Sequence, residues 1–194
     1  MSKRVAGGIQ NTMSREKGFS LIELLIVVAI MLIVAAIAIP SLVRSRMAAN
    51  EASAAASLKQ IGVANAAYLG FFGVGYAGNL AHLGPPNGGC AKVSFECADL
   101  LDTVLSGINP STPTPIKSGY QFTYYIPNDS PTPGDQNSTY SVVASPVLPG
   151  TSGQSTFCFD NSISVFKDTS GSITLGDPTG CPPVWPVGGT VNPI

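Results

Sequence analysis

The uninterrupted apolar run from Phe19 to Ile39 constrains the fold of this chain more than any other feature. It contains 21 residues, and Glu23 is its only charged side chain. As an α-helix it would span about 31 Å, which is the thickness of the hydrocarbon core of a bilayer. An amphipathic surface helix would carry polar residues at every third or fourth position, and strands of this length are unusual. The run therefore predicts a membrane-spanning helix over residues 19–39.

Charge is distributed unevenly about this run. Residues 1–18 carry a net charge of +3 and the remainder a net charge of −4, within a chain whose formal net charge is −1. Charged residues are 11% of the chain, well below the roughly 25% of soluble domains. This composition argues against a charged disordered protein, and the absence of a basic surplus means that nucleic acid is not expected as a partner.

A basic leader followed by an apolar run could also be an ordinary secretory signal. Ala36-Ile37-Ala38 offers a small-residue cleavage site, and cleavage there would release a chain that begins at Ile39. However, the run exceeds the usual length of about 7 to 15 apolar residues and contains a carboxylate. An ionisable group in a membrane is costly and predicts a function, so Glu23 should have a partner unless its side chain merely reaches the headgroups.

Residues 17–24, Lys-Gly-Phe-Ser-Leu-Ile-Glu-Leu, resemble the N-terminal signature of type IV pilins and type II secretion pseudopilins. The resemblance implies that a prepilin peptidase cleaves after Gly18 and that Phe19 becomes the methylated N-terminus. It also implies that Glu23, the fifth residue of the processed chain, directs assembly. Further implied partners are an inner-membrane assembly machinery and, before assembly, membrane lipid.

The same resemblance implies a location. The precursor would be a single-pass inner-membrane protein with its leader in the cytoplasm and its globular part outside it. The processed chain would form a cell-surface or periplasmic filament.

Cleavage after Gly18 would have an electrostatic consequence at Glu23. The new α-amino group has a reference pKa of about 7.7 to 8, so it is a cation near neutrality. When copies stack axially, Glu23 of one subunit can face the Phe19 nitrogen of its neighbour. Because an unmatched carboxylate is more costly in low dielectric than a matched one, this pairing would set the register. The principal expected partner is therefore the chain itself, as a helical homopolymer or in a mixed pilus.

Beyond the membrane run, the sequence predicts a second helical segment over residues 40–70. Pro40 should kink or loosen the helix, but residues 41–68 contain no further proline and are rich in strong helix formers. Glycines at 70, 73, 75 and 78 are expected to end the helix. One stripe at helical spacing is predicted to face the globular part in its second half, and it comprises Met47, Ala54, Leu58, Ile61, Asn65 and Tyr68.

The rest of the chain is predicted to be a connecting region, residues 71–118, followed by an antiparallel sheet and a disulfide-pinned C-terminal region, residues 119–194. Within the connecting region we expect turns at 79–89 and a short helix or single turn at 97–108. Residues 119–126 alternate apolar and polar side chains, and Pro-rich turns flank them. Further strands are expected within 139–147, 155–160, 162–168 and 172–175. The predicted fold is thus α+β and pilin-like, with a long N-terminal helix packed on a small antiparallel sheet.

All four cysteines follow the membrane run, so export would place them in an oxidising compartment. Four cysteines allow three connectivities, and the sequence alone does not choose among them. We prefer Cys90 with Cys97 and Cys158 with Cys181, because these pairs close short loops and the second would fix the C-terminal tail to a strand. The six-residue gap between Cys90 and Cys97 fits zinc poorly, and His82 is the only histidine, so we expect no metal, no cofactor and no catalytic site.

The sequence therefore predicts a structural filament subunit rather than an enzyme. Two alternatives remain open at this stage. One is a type II secretion pseudopilin, which forms a short piston-like fibre. The other is a membrane-anchored or secreted enzyme or binding domain.

Overall fold

The computed structural model describes residues 18–85, 89–107, 114–126, 136–169, 181 and 191–194. The chain divides into two compact units, one ending at Ser41 and the other beginning at Leu42. The described part of the first unit is helical from Leu21. The second unit holds a further helical stretch, a short second helix and a sheet.

Helix α1 extends over Leu21–Phe72, a length of 52 residues, and includes Pro40. The prediction that helix resumes beyond this proline is confirmed, because no break separates the two segments. The prediction that glycines end this helix is also confirmed, although the helix ends two residues later than expected. Gly73 adopts a φ of +64°, which a glycine tolerates, and its N–H donates to the carbonyl of Leu69 at 3.1 Å.

Residues 79–89 were predicted as turns, and part of this prediction is wrong. Leu80–Leu83 form a short helix, α2. Asn79 precedes it as the N-cap, and its side-chain oxygen accepts a hydrogen bond from the His82 N–H at 3.0 Å. This cap satisfies a donor that a short helix leaves free, which explains why four residues adopt helical geometry. Residues 97–107 contain a turn and no helix. Of the two forms predicted for this segment, a short helix or a single turn, the structure shows the turn.

Within the described residues, six antiparallel strands form one sheet in the order of the sequence, β1-β2-β3-β4-β5-β6. The meander predicted from strand spacing is confirmed. The strands are β1 Ile116–Lys117, β2 Tyr120–Tyr125, β3 Ser141–Pro146, β4 Thr156–Asp160, β5 Val165–Asp168 and β6 Val191–Pro193. The two edge strands, β1 and β6, were not predicted. The strand expected at 172–175 lies outside the described residues.

The core of the second unit lies between α1 and one face of the sheet. The predicted alternation in β2 is confirmed, since Tyr120 and Phe122 are fully buried. The predicted helical stripe is confirmed in its second half, whereas Met47, in its first half, is only half-buried. Buried residues of α1 in this unit are Ala54, Ala55, Ser57, Leu58, Ile61, Gly62, Ala64, Asn65 and Tyr68.

The opposite face of the sheet carries a smaller buried cluster. Val143 of β3 and Cys158 of β4 are register partners, and both pack with Cys181. Because side chains alternate between faces along a strand, Val142 and Phe159 point instead into the main core. The central strands β3 and β4 are therefore covered on both faces.

Candidate assembly site

The described chain begins with the sequence around the predicted cleavage point. Gly18, Phe19 and Ser20 precede α1 and are exposed. The carbonyl of Ser20 accepts hydrogen bonds from the N–H groups of Glu23 and Leu24, at 3.1 and 3.2 Å. Ser20 is therefore the residue at which the helix starts, and Phe19 lies immediately outside it. This arrangement leaves the Gly18–Phe19 peptide in non-helical backbone.

Glu23 occupies the first turn of α1, three residues after Ser20. A serine followed three residues later by glutamate is the sequence pattern of a capping box, and a carboxylate at this position also suits the positive end of the helix dipole. Glu23 therefore favours helix formation at this end of the chain. Its side chain is exposed, so the carboxylate is accessible to a group on another molecule.

The apolar side chains around Glu23 are uncovered. Every large hydrophobic side chain from Phe19 to Val43 is between 40% and 80% exposed. Among the described residues, α1 is the one helix long and apolar enough to cross a membrane, and the most apolar part of it has no buried residue. Burying such a surface stabilises a protein by roughly 25 cal/mol per Å², so this helix requires lipid or other protein chains around it.

A second set of interactions anchors the middle of α1 to the sheet, within the second unit. The Glu51 carboxylate accepts hydrogen bonds from the backbone N–H groups of Gln154 and Ser155, at 3.1 and 3.2 Å, and from Lys167 Nζ at 3.0 Å. Burial alone would raise the pKa of Glu51, but these hydrogen bonds and the lysine charge outweigh burial and lower the pKa. Glu51 thus connects α1 to the two residues that precede β4 and to β5.

Asn65, at the centre of the stripe, is a buried polar residue with three contacts. Its Oδ1 accepts hydrogen bonds from the Ala77 N–H at 3.2 Å and from Tyr124 Oη at 3.0 Å, and its Nδ2 donates to the Ile61 carbonyl at 3.3 Å. Because these partners belong to the loop after α1, to β2 and to α1 itself, Asn65 joins three segments. Sequence analysis placed Asn65 on the buried face but did not foresee this role.

Two disulfides lie in the second unit. Cys90 is bonded to Cys97 and Cys158 to Cys181, each with a Cα–Cα distance of 5.9 Å. These are the pairs preferred from the sequence. The Cys90–Cys97 loop contacts the end of α1, where Tyr68 Oη donates to the Phe95 carbonyl at 2.6 Å. Burial raises the pKa of Tyr68 to about 12, so this donor keeps its proton at neutral pH.

The structure does not bring the sequence-predicted residues together into one catalytic or metal site. Gly18, Phe19 and Glu23 lie in the first unit, and the four cysteines lie in the second. Within the described residues, no group of three or more His, Cys, Asp or Glu side chains is placed to hold a metal ion. In the described part of the first unit, residues 18–41, the structure offers an apolar helical surface with one carboxylate.

Comparison with known proteins gives one result for this region. Residues 13–39 match the family model described as the prokaryotic N-terminal methylation motif, so the chain carries the prepilin signature of type IV pilins and pseudopilins. Searches of curated proteins and of solved structures returned no match. The long helix and the antiparallel sheet of the described residues form an α+β arrangement like that of pilins.

Three residues important to this arrangement were not foreseen from the sequence. Ser20 could have been recognised, because its spacing to Glu23 is that of a capping box. The role of Glu51 could not have been recognised, because an acidic residue off the apolar stripe is usually a solvated side chain. The partners of Glu51 also lie more than 100 residues away in the sequence. Gly62, which allows close packing of α1 on Phe159, gave no signal beyond that of an isolated glycine in a helix.

Proposed function

We propose that this chain is a prepilin, a structural subunit of a type IV pilus-like filament. The observation that carries the proposal is the methylation motif at residues 13–39, which coincides with an exposed apolar helix bearing one acidic side chain. A helix of this kind is suited first to a membrane and then to a bundle of identical helices, because both environments cover apolar side chains on all sides.

The proposed sequence of events begins with a membrane-inserted precursor. A prepilin peptidase hydrolyses the peptide bond between Gly18 and Phe19 with one water molecule. A methyl group from a sulfonium-type methyl donor then replaces one hydrogen of the new Phe19 amino group, which is released as a proton. Methylation leaves the amine able to carry a proton and a positive charge. The processed subunit then leaves the lipid and joins a growing filament through the inner-membrane assembly machinery.

Glu23 selects the position of the incoming subunit in this proposal. The carboxylate of one subunit pairs with the Phe19 ammonium of its neighbour, in surroundings from which water is excluded. Leaving such a charge unmatched costs several kcal/mol by general estimates, so subunits settle at the axial offset that brings the two groups together. The apolar side chains on the same helix supply attraction without specifying an offset.

The proposal is tested by the mass of the processed chain. Fibres sheared from cells are purified, and the intact mass of their main component is measured. We expect a chain that begins at Phe19 and carries one additional methyl group. A soluble monomer that begins at Ile39 would instead identify an ordinary secreted protein, and would support the alternative of a secreted enzyme or binding domain.

A pseudopilin of a type II secretion system remains the second candidate, because the motif match at residues 13–39 supports both kinds of subunit. The two are distinguished by deleting the gene and by imaging the wild-type cells. A pilus subunit gives long surface fibres that disappear in the deletion strain. A pseudopilin gives no long fibres at natural expression levels, and its deletion stops the export of folded proteins to the medium.

A further inference from the structure

The carboxylate of Asp160, at the end of β4, holds the backbone of a residue much further along the chain. Its Oδ2 accepts a hydrogen bond from the Cys181 N–H at 2.8 Å, and Asp160 is only 7% exposed. A hydrogen bond to a charged acceptor is stronger than one between neutral groups, and burial limits the competition from water. Cys181 is therefore fixed at its backbone by a side chain of the sheet.

The same strand supplies the disulfide partner of Cys181. Cys158 precedes Asp160 by two residues in β4, so both side chains point to the same face of the sheet. On that face Cys158 is bonded to Cys181, and both cysteines pack with Val143. Two residues of one strand thus hold Cys181, one at its sulfur and one at its N–H.

Asp160 is itself held by contacts that do not involve Cys181. It pairs with Ser141 of β3, and its Oδ1 accepts a hydrogen bond from the Ser162 N–H at 2.9 Å. Its carbonyl accepts another from the Ile163 N–H at 3.1 Å. Because these partners belong to β3 and to the turn after β4, we expect the Oδ2 acceptor to be in place before Cys181 binds to it.

The Cys158–Cys181 bond lies where an oxidant does not reach it in the folded chain. Cys158 is fully buried and Cys181 is 9% exposed. A disulfide forms when a thiolate attacks another disulfide, so an oxidant must meet one of these sulfurs before they are covered. At that stage four cysteines allow three pairings, and Cys158 and Cys181 must be directed to each other rather than to Cys90 or Cys97.

We propose that Asp160 is the positioning residue that directs this pairing. By accepting the Cys181 N–H, Asp160 holds the Cys181 thiol beside Cys158 and raises the effective concentration of one sulfur at the other. The role concerns the maturation of the globular part, and it does not depend on the proposed filament function.

The bond itself forms by two exchange steps with a disulfide oxidant. The thiolate of one cysteine attacks the oxidant, which forms a mixed disulfide and releases one thiolate of the oxidant. The thiolate of the other cysteine then attacks the protein sulfur of the mixed disulfide, and the second thiolate of the oxidant leaves. Two electrons and two protons pass from the protein thiols to the oxidant, which becomes two thiols. Asp160 takes no part in either exchange and acts only on the geometry.

Refolding in a glutathione redox buffer tests the role of Asp160. Full-length chain in detergent is reduced and unfolded in urea, and then diluted into reduced and oxidised glutathione at a series of fixed ratios. Free thiols are alkylated, and mass spectrometry of proteolytic peptides gives the fraction of each disulfide. These fractions yield the equilibrium constant of each native bond with glutathione and the proportion of mispaired chains.

Asp160→Asn keeps the size of the side chain and an oxygen for the Ser162 N–H, but it places an amide N–H group against the Cys181 N–H. We expect the equilibrium constant of the Cys158–Cys181 bond to fall by about tenfold relative to that of the Cys90–Cys97 bond, and the mispaired proportion to rise. Tyr124→Phe is the matched control, because it removes a hydroxyl that donates a hydrogen bond in the core. General destabilisation should leave the ratio of the two constants unchanged.

Asp160→Ser provides a second variant in case Asp160→Asn does not refold. A serine hydroxyl can still accept the Ser162 N–H in a similar turn, but its one oxygen is then not available to the Cys181 N–H. The same fall in the ratio and the same rise in mispairing are expected. A wild-type ratio in either variant would overturn the role of Asp160. So would mispairing no greater than in Tyr124→Phe, whether or not the variant reaches the native fold.

Discussion

Gly62 of α1 lies against the ring of Phe159 in β4 so closely that a Cβ atom at position 62 would overlap two ring carbons. Phe159 is buried in the main core, and its ring cannot move away without disturbing its neighbours. The missing side chain at Gly62 therefore sets how closely the helix approaches the sheet in the second unit.

Gly62→Ala should destabilise the chain by about 2 kcal/mol, because overpacking a core costs about 1–3 kcal/mol even though alanine favours helix. The matched control is Gly70→Ala, at a position in the same helix where an added Cβ meets nothing within 4 Å. The free energy of unfolding of that variant should exceed that of the wild type by up to about 1 kcal/mol. Chemical denaturation of the detergent-solubilised chain measures both, and effects of the same sign would contradict the packing described.

Glu51→Gln should remove a pH-dependent part of the stability. The folded-state pKa of Glu51 lies below its ordinary value of 4.5, so its contribution is complete above about pH 4.5 and is lost as the pH falls through the folded pKa. At pH 7 we expect the substitution to lower the free energy of unfolding by about 1–3 kcal/mol, which is the usual contribution of hydrogen bonds to a charged group. The difference between wild type and variant should shrink as denaturation is repeated below pH 4.5. Glu96→Gln, at an exposed position, is the control and should cost less than Glu51→Gln at pH 7.

Asn65→Ala should be more harmful than Tyr124→Phe. Removing the Asn65 side chain leaves the buried Ala77 N–H without its acceptor, and an unsatisfied buried group costs about 1–3 kcal/mol in addition to the packing lost. Tyr124→Phe removes only a hydroxyl that bonds to Asn65 and to the Ala77 carbonyl, and should cost about 1 kcal/mol. The order of the two midpoints in a thermal melt provides the measurement. Equal losses would show that Asn65 does not join the three segments as described.

The two disulfides should differ in how much each contributes to the free energy of unfolding. By the loop-entropy estimate, a bond across 23 residues contributes about 3.4 kcal/mol and one across 7 residues about 2.4 kcal/mol. Replacing Cys158 and Cys181 with alanine should therefore lower the unfolding free energy by about 1 kcal/mol more than replacing Cys90 and Cys97. Cys158 is also fully buried, which adds to the difference. The opposite order in urea titrations of the two double variants would contradict this ranking.

Glu23→Gln and Glu23→Ala should both leave cleavage at Gly18 intact and reduce fibre yield at least tenfold, because neither side chain can neutralise the Phe19 ammonium of a neighbour. Glutamine preserves the size and the hydrogen-bonding capacity of the residue, so it isolates the charge. Fibre yield is quantified by gel after shearing, and processing by the mass of the membrane-bound chain. Wild-type yield from Glu23→Gln would show that the carboxylate charge is not required.

Much of this fold could be predicted because its signals are local. The apolar run beginning at Phe19, the alternation in β2 and the glycines after α1 each depend on neighbouring residues, and period and length suffice to interpret them. The edge strands could not be predicted in this way. Ile116–Lys117 has only two residues, and Val191–Pro193 contains a proline that argues against a central strand.

The contacts that position α1 on the sheet were also inaccessible to sequence reasoning. Glu51 and Lys167 are 116 residues apart, and neither belongs to a motif. Asn65 resembled an apolar position because its spacing matched Leu58 and Ile61, and only the folded chain shows which groups it satisfies. The N-terminal motif differs from these contacts. At residues 13–39 the sequence itself points to processing and assembly, which depend on other molecules.

The strictly sequential order of the sheet also bears on how the chain acquires its structure. Every described strand pairs only with its neighbours in the sequence, and the connections between paired strands contain 2 to 22 residues. The bond between Glu51 and Lys167 is different, because it must close a loop of more than a hundred residues. We therefore expect the strands to pair first and the helix to dock on the sheet last. If the proposed filament function holds, a subunit would be able to polymerise only after its final strands have paired.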